Sequence, residues 1–159
     1  MNHFTIVGPI DEVMLKKFYK FVKKQEHEAD VCLSISSGGG DSDVALAIVG
    51  IMKTTNLNWT TQAFGYLYSA ASLIFCAGKV RRFSKAGFAM IHEGSDKITG
   101  DASTIKRHAK HMERYEEHWN KLMEEFTGTP ASVWAKHSER DTYFNADECL
   151  KLGIATEII

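Results

Sequence analysis

The first half of the chain alternates strand-like and helix-like segments, and this alternation constrains the fold more than any other feature. Apolar and β-branched runs at 2–7, 31–36 and 58–64 each precede a helix-compatible segment. The segment after the first run lies at 11–25, and the segment after the third run lies at 70–77. A strand–helix–strand order requires crossover connections, which are right-handed and leave the strands parallel. The sequence therefore predicts an α/β fold with a largely parallel sheet covered by helices.

The second half adds two short strands and then one unusually long helix, at about 102–126. Its apolar residues keep helical spacing over about six turns, which is long for a small domain. We expect this helix to project from the body of the protein and to contact a second subunit. Trp119, Met123 and Phe126 are the side chains expected at that contact.

Composition excludes several classes of protein. The 19 Lys and Arg residues nearly balance 20 Asp and Glu, which gives no electrostatic case for nucleic acid or an anionic membrane. No apolar run approaches the ~18 residues of a bilayer-spanning helix, and no signal sequence is recognisable. The three cysteines lie among apolar neighbours, which is typical of buried thiols in a reducing compartment. We expect a single cytoplasmic domain over 1–159, because no linker or repeat interrupts it.

Ser69 lies where a strand-like run becomes a small-residue helix. Gly65 is expected to turn the chain out of the strand, and Gly78 is expected to end the helix. A serine at such a junction suits nucleophilic chemistry, because unpaired helix N–H groups could stabilise an oxyanion. The alternative is a serine that only caps the helix. The segment also departs from the nucleophile-elbow pattern G-x-S-x-G, because Ala71 replaces the second glycine.

A glycine loop at 37–41 follows the second strand and opens the next helix. It lacks the Lys-Ser or Lys-Thr of a phosphate-binding P-loop and the third glycine of a dinucleotide fingerprint, so no nucleotide cofactor is expected. The same geometry could present backbone N–H groups to an oxyanion. Gly40 and Ala70 are the two expected donors, from adjacent turns.

Histidines supply two further hypotheses. His92 ends an apolar strand, where it could be a general base for Ser69 or only an edge residue. His108, His111 and His118 lie on the long helix, but no cysteine or acidic partner completes a metal site, so a solvated face is expected and no metal. The sequence around Asp141 is typical of a helix end or a turn. Spacing alone does not bring Ser69, His92 and Asp141 together.

Four motifs, taken together, resemble those of the Clp protease proteolytic subunit (ClpP) family, whose members have the ClpP/crotonase fold. They lie at 35–40, 65–69, 90–92 and 139–141. These segments are similar to the family's Ser-Pro-Gly-Gly, Gly-Gln-Ala-Ala-Ser, Met-Ile-His and Glu-Arg-Asp motifs. Gly38 replaces the family's proline, and Tyr143 supplies the aromatic residue that follows Glu-Arg-Asp. The resemblance covers nearly the whole chain.

The resemblance implies a serine endopeptidase with repeated ββα-type units and a protruding handle, here about 95–126. It implies a triad in which Ser69 attacks the peptide carbonyl, His92 transfers the proton and Asp141 orients the imidazole, with Gly40 and Ala70 as the oxyanion hole. No cofactor is implied. Peptide substrate would lie along Gly39, Gly94, Ser95 and Asp96. Copies of the chain would form rings, possibly stacked, with Glu139, Arg140 and Trp119 at the contacts.

The sequence also departs from the family. The first strand is expected to begin at about residue 2, whereas relatives carry a segment before it that lines the axial pore, and Gly94 replaces a proline beside the histidine motif. The positions at which relatives bind an ATP-driven unfoldase are mostly polar, and only Phe64 and Phe83 keep the apolar character. These positions are Cys32, Ser34, Thr54, Gln62, Phe64, Phe83 and Lys85. Docking of a standard Clp ATPase is therefore not expected. An inactive ring-forming scaffold and a crotonase-like acyl-CoA enzyme are the alternative functions.

Overall fold

The computed structural model describes all 159 residues. Six helices surround a seven-stranded sheet. The strands are β1 (Asn2–Val7), β2 (Asp30–Ser37), β3 (Asn58–Tyr68), β4 (Val80–Phe83), β5 (Phe88–Ile91), β6 (Thr142–Phe144) and β7 (Glu157–Ile158). The helices are α1 (Glu12–Val22), α2 (Ser42–Thr54), α3 (Ala70–Cys76), α4 (Ala102–Thr127), α5 (Ala131–Ser138) and α6 (Ala146–Lys151).

The main path of the sheet runs β1-β2-β3-β4-β7, and all of its pairings are parallel. This confirms the predicted α/β class and largely parallel sheet. β3 is long enough to pair with β4 through its first half and with β5 through its second half. β5 also pairs with β6, and this pairing is the one antiparallel ladder. The sheet therefore branches at β3.

The turn expected at Gly65 is wrong, because β3 continues through Gly65 to Tyr68. A Cβ at position 65 would lie 2.7 Å from Ser36 Oγ, so the small residue allows close approach of β2. The β2–β3 register shifts between Ile35 and Ser37 at the same level. The irregularity lets β3 extend past the end of its regular pairing and carry the chain to Ser69.

α3 is buried along its whole length, and all seven of its residues are in the protein interior. Its small and apolar side chains join one continuous core of 33 residues. Because a fully buried helix has little freedom to move, its first residue fixes the position of Ser69, which directly precedes it.

α4 has 26 residues and begins at the N-cap Asp101, whose side chain accepts a hydrogen bond from Thr104 N. It ends at Gly128, which adopts the left-handed conformation (φ 76°) that glycine tolerates. The N-terminal half is mostly exposed. No helix of the chain combines the length and the apolar character needed to cross a bilayer.

The partner surface expected on α4 is wrong for two of its three residues. Met123 and Phe126 are buried in the core of their own subunit, and Trp119 packs against the same core. Burial against α5 and the core satisfies this apolar stripe, so its length carries no evidence of a second subunit.

Phe83, one of the two apolar residues at the expected unfoldase-docking positions, is fully buried, with its ring 5.9 Å from that of Phe75.

Candidate active site

The parallel pairing of β3 with β5 places Ser69 beside His92. Tyr68 pairs with Met90, and the amide of Ser69 donates a hydrogen bond of 2.7 Å to the carbonyl of Met90. The residues that follow these two strands therefore emerge at the same edge of the sheet. Ser69 Oγ lies 2.7 Å from His92 Nε2, which is hydrogen-bond distance.

The antiparallel pairing of β5 with β6 brings Asp141 to the other side of the imidazole. Ile91 pairs with Thr142, so the next residue of one strand, His92, faces the preceding residue of the other. His92 Nδ1 lies 3.5 Å from Asp141 Oδ1, longer than an N–H···O hydrogen bond of 2.7–3.2 Å. The Asp141 side chain is 60% exposed. The three expected residues are therefore gathered, with the carboxylate held loosely.

Ser69 has backbone angles of φ 54° and ψ −125°, which few residues other than glycine adopt. Its side chain makes no capping hydrogen bond to α3, so the interpretation of Ser69 as a helix cap is wrong. A strained serine on a sharp turn from strand to helix is the geometry of a nucleophile elbow. The structure has this geometry without the flanking glycines of the usual sequence pattern, and the turn directs the hydroxyl at His92.

The glycine loop packs directly against the Ser69 turn. A Cβ on Gly39 would lie 2.8 Å from both Ser69 Cβ and Tyr68 O, so only glycine fits without displacement. The Gly39 amide donates to Ser37 Oγ (3.1 Å), and its carbonyl accepts from Ile10 N (3.0 Å). Because both groups are engaged within the chain, Gly39 is better described as a residue that positions Ser69 than as one that binds peptide.

Two backbone amides beside Ser69 are free to bind an anion. The N–H of Gly40 donates to no protein acceptor, and Ala70 is the first residue of α3, so its N–H has no partner within the helix. The loop and the helix start are in contact, since a Cβ on Gly39 would lie 3.1 Å from Ala70 N. A Cβ on Gly40 would clash with the backbone of Ile10, so this position also requires glycine.

A cavity of about 500 Å³ opens beside Ser69 and His92 and extends to the handle. This volume is in the range of sites that bind small ligands. Polar contacts between the handle and the body border it. Tyr115 OH donates to Asp43 Oδ1 (3.0 Å), and Gly94 N donates to Glu116 Oε1 (2.7 Å).

Tyr115 is a neutral phenol over the usual pH range. Partial burial raises the pKa of Tyr115 to about 12, and the Asp43 and Asp41 carboxylates raise it as well, against a lowering contribution from Ser42. No sequence motif indicated Tyr115, Asp43 or Glu116 as site residues. The only local signal was the spacing of Tyr115 and Trp119 on one helical face, and helical spacing does not show which residues of another element they meet.

The segment expected to bind peptide, 94–96, is exposed and partly engaged with the handle. Glu116 accepts a hydrogen bond from the amide of Gly94. In addition, Asp96 Oδ2 lies 3.0 Å from His108 Nε2. His108 therefore faces an acidic partner rather than only solvent. No group of three side chains in the structure is arranged to hold a metal ion.

Two of the residues expected at subunit contacts, Glu139 and Arg140, are exposed. Neither forms an ion pair within the chain. They directly precede Asp141 in the chain. Trp119 borders the cavity instead.

Comparison with known proteins agrees with the motifs. The family model described as Clp protease matches residues 2–159. The chain is 35% identical to the ATP-dependent Clp protease proteolytic subunit 2 of Treponema denticola, and the alignment covers 99% of this chain and 81% of the relative. A match of this extent supports a peptidase. The chain therefore belongs to the Clp protease family.

Proposed function

We propose that the protein is a serine endopeptidase that hydrolyses peptide bonds in peptides or unfolded chains. The observation that carries the proposal is the distance of 2.7 Å between Ser69 Oγ and His92 Nε2 at the edge of a 500 Å³ cavity. A hydroxyl within hydrogen-bond reach of an imidazole is the arrangement of an activated nucleophile. Family membership supports the peptide bond as the substrate.

In the proposed reaction, Ser69 Oγ attacks the peptide carbonyl carbon while His92 Nε2 takes the hydroxyl proton. The amides of Gly40 and Ala70 hold the resulting oxyanion, because both are free donors beside Ser69. When the tetrahedral intermediate collapses, the C–N bond breaks and the imidazolium returns its proton to the leaving amine. Water then hydrolyses the acyl-enzyme by the same route in reverse, with His92 as its base.

Asp141 has the role of orienting His92 and stabilising its charged form. Its distance of 3.5 Å favours one alternative, a ring-forming scaffold with little activity, because a poorly oriented imidazole is a weaker base. Hydrogen bonds of catalytic groups are often long in the absence of substrate and shorten when it binds. We therefore place the protein with the active enzymes, and hydrolysis of a short fluorogenic peptide by the wild type decides between the two.

We propose further that a standard Clp unfoldase docks poorly. Of the two apolar residues at the expected docking positions, Phe83 is fully buried and only Phe64 is exposed. A single buried phenylalanine contributes ~1.5–3 kcal/mol, which is small beside the cost of ordering a docking loop. Casein degradation that an unfoldase and ATP strongly stimulate would contradict the docking proposal.

We also propose a cytoplasmic location. The three free cysteines are all buried, which suits a protein of the cytoplasm.

Covalent labelling with a fluorophosphonate tests the nucleophile. Ser69→Ala should abolish labelling and peptide hydrolysis, because the reagent reacts only with an activated serine. Ser84→Ala, at a serine outside the cavity, is the matched control and should label like the wild type. Equal labelling of Ser69→Ala and wild type would show that another residue is the nucleophile.

A further inference from the structure

The cavity beside Ser69 is lined by an excess of carboxylates, of which Asp96 faces a lining histidine, His108, at 3.0 Å. Asp41, Asp43, Asp96 and Glu116 line it, and no lysine or arginine does. Asp41, Asp43 and Glu116 form no ion pair with any lysine or arginine of the chain. Such a concentration of one sign of charge in a cleft attracts a group of the opposite charge.

Each of these three carboxylates has one oxygen in use and one free. Asp41 Oδ1 accepts from the amides of Asp43 and Val44, at 2.8 and 3.2 Å. Asp43 Oδ1 accepts from Tyr115, and Glu116 Oε1 accepts from Gly94. The internal hydrogen bonds hold the side chains in place, so the second oxygens are oriented without further cost in side-chain entropy.

Besides serines and histidines, the cavity is lined by apolar side chains that reach the core. Met112, Trp119 and Met123 contribute to this lining, and Met123 is buried. A lysine or arginine side chain matches the apolar and the acidic parts of this lining, because it has an apolar stem and a charged end.

We propose that this cavity binds a lysine or arginine side chain, that of the substrate residue whose carbonyl Ser69 attacks. The proposal rests on the proposed peptidase function, because it names the substrate class of the same site. Asp43 and Glu116 are its specificity-determining residues. Asp43 lies on α2 of the body and Glu116 lies on the handle helix α4, and both line the cavity.

Three peptides that differ only at this residue test the preference. Lysine is compared with norleucine, which keeps the apolar stem without the charge, and with glutamate. We expect kcat/KM for lysine to exceed that for norleucine about tenfold, as for interaction with partly screened carboxylates, and that for glutamate to be lowest. Because the preference is electrostatic, it should shrink as ionic strength rises.

The double variant Asp43→Asn, Glu116→Gln should bring the lysine to norleucine ratio close to one, because both replacements keep shape and remove charge. Glu117→Gln is the matched control, since Glu117 neighbours Glu116 on α4 but lies outside the cavity and should keep the wild-type ratio. Thermal melting of each variant shows whether it is folded. The wild-type ratio and its salt dependence test the proposal even where a variant does not fold.

A wild-type enzyme that cleaves the norleucine peptide as fast as the lysine peptide, or faster, overturns the cavity proposal alone. A ratio unchanged in the folded double variant does the same. Absence of both hydrolysis and fluorophosphonate labelling at Ser69 overturns the peptidase function, and the cavity proposal with it. The labelling measurement therefore separates the two failures.

Discussion

Asp141 is the least constrained of the three proposed catalytic residues. Ser69 is fixed by the start of buried α3, and His92 lies 34% exposed at the end of β5, whereas the Asp141 carboxylate is 60% exposed and 3.5 Å from the imidazole. An aspartate in this role holds the imidazole in the correct tautomer and stabilises its cation. Its contribution to the rate therefore measures how well the three groups are aligned during the reaction.

We expect Asp141→Asn to lower kcat about 10²- to 10⁴-fold, where the upper value is that of a well-aligned triad. The amide would favour the wrong tautomer of His92, while the fold should stay intact because the side chain is largely exposed. Asp147→Asn, at an exposed acid on α6, is the matched control. Steady-state peptide hydrolysis measures the effect, and a rate unchanged by Asp141→Asn would assign catalysis to Ser69 and His92 without Asp141.

At the scale of elements, the β3–α3 turn depends on its contact with the glycine loop. Gly39 has φ 90° and leaves no room for a Cβ beside Ser69. Gly8 has almost the same angle, φ 88°, but no atom lies within 4 Å of its would-be Cβ. The two glycines therefore separate the cost of a left-handed backbone from the cost of a steric clash.

Gly8→Ala should destabilise the protein by roughly 1–2 kcal/mol, the cost of the backbone conformation for an L-residue, with fluorophosphonate labelling unaffected. Gly39→Ala pays the same cost and must also displace Ser69 or the loop, so we expect labelling to slow by at least about tenfold. Urea unfolding and labelling rates measure the two effects. If Gly39→Ala labels at the rate of Gly8→Ala, the close packing of the loop is not required for reactivity.

At the scale of the whole molecule, one face of the branched sheet exposes an aromatic patch formed by Tyr66, Tyr68, Phe88 and Tyr143. Tyr66 pairs with Phe88, and the rings of Tyr68 and Tyr143 lie 5.7 Å apart edge to face. Tyr66, Phe88 and Tyr143 are 44%, 50% and 53% exposed. Large exposed apolar patches mark interaction surfaces, and members of the Clp protease family are generally oligomeric.

We therefore expect a homo-oligomer that uses the aromatic patch, with the exposed Glu139 and Arg140 as further contact residues. Light scattering should give a mass well above the 17.8 kDa of one chain, and Phe88→Glu should lower it, because a buried unpaired charge opposes association. Val13→Glu, at an exposed apolar residue of α1 outside the patch, is the control. A species of 17.8 kDa alone at micromolar concentration would contradict the expectation.

Much of the architecture follows from local sequence patterns. Alternating strand and helix periodicities predict the parallel sheet, and the caps Asp101 and Gly128 agree with a long helix at the expected place. The motifs, by their resemblance to a known family, indicated Ser69, His92 and Asp141, which lie close together in the structure. The predictions of the elements succeed because periodicity and capping are properties of neighbouring residues, whereas the catalytic roles of the three residues are proposals.

Only the tertiary structure decided how distant segments meet. The antiparallel β5–β6 ladder brings Asp141 to His92, and β3 passes through Gly65 because the register shift in its pairing with β2 allows it. The burial of Phe126 in its own subunit and the meeting of Asp43 with Tyr115 also join residues far apart in the chain. Each depends on strand register or on packing between separate elements, and the free energy of such contacts is a property of the assembled fold rather than of any local segment.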